Sequence, residues 1–200
     1  MFISIGKYCS VKYNIDKFTV SKETLFFDWL ITDMDSVNMI LGIENIDNIL
    51  FFENIIQNPI NSKHDNNSRI IIKSLPLCES IHDIPYLYNS SHIHEFIKKY
   101  KRRYERIIEY IKNEPNIYFI RIGEITNTQK RIFINNILKI NLKCNFKLVE
   151  LQEQKKIISD THFISINLNN YRINNVNHNN WKKEHWNWKK IFSDIMKHDN

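Results

Sequence analysis

Three segments of this chain hold residue types able to do nucleophilic or acid–base chemistry. The first is Phe2-Ile3-Ser4-Ile5-Gly6-Lys7-Tyr8-Cys9-Ser10, an apolar run that meets a glycine and then a cysteine. The alternating run reads as a buried strand, and Gly6 permits a tight turn. Ser10 is the expected helix N-cap, with Val11, Ile15 and Phe18 repeating at helical spacing after it. Cys9 then stands at a strand-to-helix turn beside a helix N-terminus, where partial positive charge favours the thiolate, the nucleophilic form. A small packing cysteine fits the same position and, on local sequence alone, is the favoured reading, since free cysteine is usually a small buried residue.

The second segment is Phe26-Phe27-Asp28-Trp29-Leu30. An acid among residues that seek burial needs a partner or must keep its proton. Asp28 is therefore either a site carboxylate or a turn aspartate bonded to backbone amides. The third is Ile81-His82-Asp83-Ile84-Pro85. His82 has the pKa range of a general base, and the alternative is a polar loop histidine. His64-Asp65 repeats the dipeptide inside an Asn-rich loop. His92 and His94 read as helix-start positions and His162 as the start of a strand. His178, His185 and His198 lack metal-ligand spacing, and no glycine-rich phosphate loop occurs. Neither a metal nor an organic cofactor is expected.

Bulk properties frame these candidates. Two hundred residues, 42% hydrophobic and 12% aromatic, suit one globular α/β domain spanning 1–200. The net charge of +6 permits contact with acidic partners. Its densest run, Lys98-Lys99-Tyr100-Lys101-Arg102-Arg103, falls on a periodic helix and reads as a solvated face. Without interleaved aromatics for base stacking, nucleic acid is not the expected partner. Three cysteines at irregular spacing argue against a disulfide framework or a zinc site. With no signal pattern and no membrane-length apolar stretch, a cytoplasmic setting away from the membrane is expected. Nothing in the sequence speaks to oligomeric state.

Several elements must position the three segments. Strands are expected at 2–5, 69–73, 117–122, 146–151 and 162–168, and helices at 35–41, from Ser91 to about 113, from Thr126 to about 140 and over 180–197. In the last helix Trp181 and Trp188 are expected inward, with Trp186 covering a surface or a cleft rim. Strand, helix, strand order from Ile117 onward predicts a mixed or mostly parallel central sheet flanked by helices, a three-layer α/β domain, with a papain-like α+β arrangement as the alternative.

Taken in order, Ser4-Ile5-Gly6 with Cys9, Phe27-Asp28-Trp29-Leu30, Ile81-His82-Asp83, Arg102-Arg103 before the strand at 117–122, and a closing Trp188-Lys189-Lys190-Ile191-Phe192 resemble the papain-like cysteine peptidase family. The likeness spans most of the chain; Phe26 stands where the family's block has proline. It implies a thiol-dependent hydrolase acting on a peptide or other acyl bond, with a peptide or protein substrate. Cys9 would be the nucleophile, His82 the base, and Asp28 or Asp83 the residue orienting the imidazole. Two further readings come from other classes. One is an α/β transferase or small-ligand-binding domain using the Gly6–Ser10 turn. The other is a non-catalytic interaction domain.

Overall fold

The computed structural model describes residues 1–20, 23–58, 67–85, 89–153, 158–173 and 181–197. The elements in chain order are β1 (Phe2–Ser4), α1 (Cys9–Phe18), β2 (Leu30–Thr32), α2 (Met34–Gly42), β3 (Ile55–Asn58), β4 (Asn67–Ile72), β5 (Cys78–Pro85), α3 (Ser90–Asn113), β6 (Ile117–Ile122), α4 (Asn127–Ile140), β7 (Phe146–Gln152), β8 (Ile158–Ser159), β9 (Phe163–Asn167) and α5 (Trp188–Lys197). Short 3-10 turns lie at Ile46–Asn48, Phe52–Asn54 and Leu168–Tyr171.

The first sheet has the order β1-β6-β7-β9-β8. Its first four strands are parallel, and β8 is antiparallel to β9. All six residues of β6 are buried, as a strand covered by helices on both faces requires. On one face, Ile93, Phe96, Tyr100, Tyr104, Ile107 and Ile111 of α3 join Phe133 and Ile137 of α4 against Ile3, Ile5, Ile117 and Phe119. On the other, Val11 and Ile15 of α1 and Trp188, Ile191, Phe192 and Ile195 of α5 pack on Phe2, Tyr118, Ile120 and Val149. This is the expected mostly parallel sheet between two helical layers.

A second sheet, antiparallel and of order β2-β5-β4-β3, was not foreseen from the sequence, which predicted only one of its strands. It is inserted with α3 between α1 and β6. Leu30, Ile55, Ile70 and Ile72 belong to the same hydrophobic cluster as α3 and β6, so the two sheets share a core. The insertion brings Asp28 and β5 back to the turn that follows β1.

Local corrections follow from end chemistry. The N-cap of α1 is Tyr8, whose side chain makes no capping bond; Ser10 is already inside the helix. Asn89, not Ser91, caps α3, and His92 completes its capping box. Thr126 and Gln129 form the expected box on α4. Phe18 is half-exposed, Trp181 is exposed, and the last helix starts at Trp188 after a turn, so Trp181 is not an inward helical residue. Among the described residues no helix is long and apolar enough to cross a membrane.

Candidate functional site

The turn after β1 is held by two buried contacts. Gly6 has φ +78°, and a Cβ there would overlap Thr32 Oγ1 and stand 3.0 Å from Thr32 Cβ. Only glycine meets both the left-handed backbone and the close approach of β2. Arg121, at the end of β6, is buried and donates from Nη1 to Ile5 O and from Nη2 to Thr32 O, each at 2.8 Å. One guanidinium thus ties the exit of β1 to the second sheet. Burial lowers its pKa to about 10, which leaves it charged at neutral pH.

This clamp sets the start of α1, and Cys9 is the first helical residue there, partly accessible. Its thiol pKa is raised, first by burial and further by the carboxylates of Asp28 and Asp83, against a hydrogen bond from its own backbone amide. The expectation that the helix terminus alone would favour a thiolate is corrected: burial outweighs it, and the two negative neighbours add to the same side. Cys78 and Cys144 are buried, and burial also pushes both thiols up.

Asp28 closes the Leu25–Trp29 turn. Its Oδ2 accepts from Leu25 N at 2.8 Å, the turn role weighed from the sequence, and lies 3.3 Å from Lys12 Nζ. Lys12 is itself buried on α1 and pairs at 2.9 Å with Asp16. Burial raises Asp28 to about 6, with Lys12 and the Leu25 amide pulling the other way. Its Oδ1 is buried without a hydrogen-bond partner. Trp29, next in the motif, holds a left-handed φ of 66°, a strained conformation of the kind that clusters at sites.

His82 and Asp83 lie on β5, at an irregularity. The pairs Ser68↔Ile84 and Ile70↔Ser80 leave 81–83 facing Arg69 alone. In a regular strand residues three apart face opposite ways. The bulge instead lets Ser80 Oγ donate to Asp83 Oδ2 at 2.5 Å. Tyr100 OH donates to the same oxygen at 2.5 Å, and Lys99 pairs with Oδ1. Burial pushes Asp83 up, but the bonds from Lys99, Ser80 and Tyr100 overcome it and hold the carboxyl below its ordinary range. The His82 side chain lies outside the described residues, as do His64, Asp65, His178 and His198.

Asp28 and Asp83, from two segments distant from Cys9 in sequence, both raise its thiol pKa. The sequence reading passed over Lys12, Arg121, Thr32, Ser80, Lys99 and Tyr100. Lys12 had a signal: Cys9, Lys12 and Asp16 share one helical face by spacing. The basic run on α3 is more engaged than a solvated face, since Lys99 pairs with Asp83, Lys101 pairs with Asp47 at 2.6 Å, and Arg103 covers the Tyr100 ring. Among the other histidines, His162 stacks on Phe146 and His185 is buried against Trp186. Among the described residues no group of three or more His, Cys, Asp or Glu is placed to hold a metal ion.

Comparison with known proteins adds two findings. Residues 1–150 match the model of a family described as "Putative papain-like cysteine peptidase (DUF1796)". Over 215 aligned residues the chain is 25% identical to "Uncharacterized protein R408" of Acanthamoeba polyphaga mimivirus, covering 96% of each. No solved structure matches.

Proposed function

The chain belongs to this papain-like cysteine peptidase family, and on that premise we propose that it is a thiol-dependent hydrolase of peptide or related acyl bonds, with Cys9 as nucleophile and His82 as base. The observation that carries the reading is electrostatic. Asp28 and Asp83, far from Cys9 in sequence, both act on its thiol. Two anions make a lone thiolate costly, and the same two anions favour a cation beside it. An imidazolium from His82, formed by taking the Cys9 proton, meets that demand. The acid pair is differentiated: Asp83 is locked as an anion by three donors, whereas Asp28 changes protonation near pH 6. Neighbouring acids with pKa values pushed apart are a pattern of acid–base sites.

In the reaction, Cys9 Sγ bonds the substrate carbonyl carbon as His82 takes the thiol proton. The tetrahedral oxyanion lies toward the uncapped amides opening α1. Collapse breaks the bond to the leaving amine or alcohol, which takes the proton from His82. Water then hydrolyses the thioester, releasing the acid and restoring the thiol. Asp83, held as an anion, or Asp28, which keeps one oxygen without a hydrogen-bond partner, would orient the imidazole. We also take residues 1–200 as one domain, which the core shared by the two sheets supports.

The test is acyl-enzyme trapping. The protein is exposed to an activated acyl ester, quenched in acid and mapped by mass spectrometry. The reading expects acylation at Cys9 alone, lost in Cys9→Ala and His82→Ala. Label absent from Cys9, or unaffected by His82→Ala, contradicts it.

A further inference from the structure

A cleft of about 350 Å³ opens at the carboxyl ends of β6 and β7. Lys7 and Tyr8 of the first turn, Gly123, Leu151, Lys183 and Trp186 line it, and Cys9 does not. Its size suits a small molecule. Trp186 is 3% exposed, and its indole N–H is buried with no acceptor among the described residues. A buried donor left unmade is costly, so the group calls for an acceptor that the protein does not supply.

Two ammonium groups border the same cleft. Lys7 and Lys183 both have left-handed backbones, φ 67° and 54°. The Lys183 turn is held by its carbonyl, which accepts from Trp186 N at 3.2 Å and from Trp188 Nε1 at 2.9 Å. Lys7 crosses the floor over Gly123, where a Cβ would run into Lys7 Nζ and lie 3.1 Å from its Cδ. Among the described residues neither ammonium pairs with a carboxylate. The two acids in the lining are engaged: Glu153 pairs with Arg172 at 3.3 Å, and Glu124 has a partner of its own. Ile122, Leu151 and Leu168 with the Trp186 ring supply apolar wall, and Gln152 beside them donates to Glu150 Oε1 at 2.8 Å.

We propose that this cleft binds a small organic anion, its flat apolar body against Trp186 and its carboxylate or phosphate between Lys7, Lys183 and the indole N–H. The site goes beyond the hydrolase reading and does not depend on Cys9. Paired cations and an unmet N–H select an anion, while the apolar walls select one with a hydrophobic body.

The test follows the Trp186 indole N–H resonance in a 1H–15N correlation spectrum, assigned with Trp186→Phe. Benzoate and phenyl phosphate are the two anionic probes; phenol lacks the charge and inorganic phosphate lacks the body. The expected result is a saturable shift with one or both anionic probes, their relative affinities showing which acid group the cleft prefers. Phenol and inorganic phosphate should bind at least tenfold more weakly. Lys7→Gln with Lys183→Gln should weaken the better probe at least tenfold, and Cys9→Ser should leave it unchanged. Should the double variant fail to fold, the wild-type comparison of benzoate with phenol, in low and high salt, decides. Shifts that do not saturate, or that phenol matches, overturn the proposal.

Discussion

Lys12 Nζ lies 3.3 Å from Asp28 Oδ2, with both side chains nearly inaccessible, one helical turn beyond Cys9. Such a pair loses hydration on both sides, and its net worth depends on the bonds that satisfy the remaining atoms. Lys12 also donates to Glu23 O and pairs with Asp16, whereas Asp28 has only the Leu25 amide besides Lys12 and keeps one oxygen unpartnered. The lysine is the better-satisfied partner. The strain falls on the carboxylate, which is why burial governs it.

Asp28 should make stability depend on pH. Its folded pKa is raised to about 6, so the folded state holds this proton more tightly than the unfolded chain. The contribution is complete below about pH 4 and is lost as pH rises through about 6. The rise from 3.8 to about 6 corresponds to about 3 kcal/mol, at about 1.4 kcal/mol per pKa unit. In urea unfolding, the stability of wild type relative to Asp28→Asn should fall by up to that amount between pH 4 and pH 7. A difference that is flat with pH would show that Asp28 is not a buried titrating acid.

Asp83 should behave with the opposite sign. Its folded pKa is lowered, so its stabilisation is present above the ordinary carboxylate range and lost as pH falls through it. Asp83→Asn should cost roughly 3 kcal/mol at pH 7, because Lys99 loses its buried partner. That deficit should narrow below about pH 4. Equal deficits at pH 7 and pH 3 would contradict an anionic Asp83.

The Gly6 turn and the Arg121 clamp should be stability determinants. Gly6→Ala combines a left-handed alanine with overlap on Thr32, on the order of 3 kcal/mol together. Arg121→Met strands two buried carbonyls, roughly 2–5 kcal/mol. Calorimetry should show both melting well below wild type. A melting temperature unchanged in either variant would remove that contact from the account.

The long apolar patterns were legible in the sequence. β6 reads as a continuous buried run, α3 repeats its inward residues from Ile93 to Ile111, and Thr126 with Gln129 announces α4. The second sheet was not legible, because β2 and β3 are only three and four residues long and β5 breaks its alternation at a bulge. Cys9, Asp28 and Asp83 could be named from residue type and motif order. Their electrostatics could not, because the Cys9 thiol answers to Asp83, and Asp83 answers to Lys99 and Tyr100 on a helix that no local rule connects to it. Lys12 was missed because periodicity places lysines outside.

The central claim is that Cys9 is activated by His82, and the pH dependence of Cys9 alkylation tests it most directly. Iodoacetamide rates at each cysteine are followed by mass spectrometry from about pH 5 to pH 10 in wild type and His82→Ala. The account predicts a reactive plateau for Cys9 near neutral pH, with Cys78 and Cys144 inert, because the ion pair with imidazolium offsets the burial and the two acids that raise the thiol. In His82→Ala the plateau should vanish, leaving reaction only above about pH 9, where a thiol with a raised pKa ionises. Wild-type Cys9 that reacts only in that alkaline range, unchanged by His82→Ala, would contradict the account and make Cys9 a packing residue.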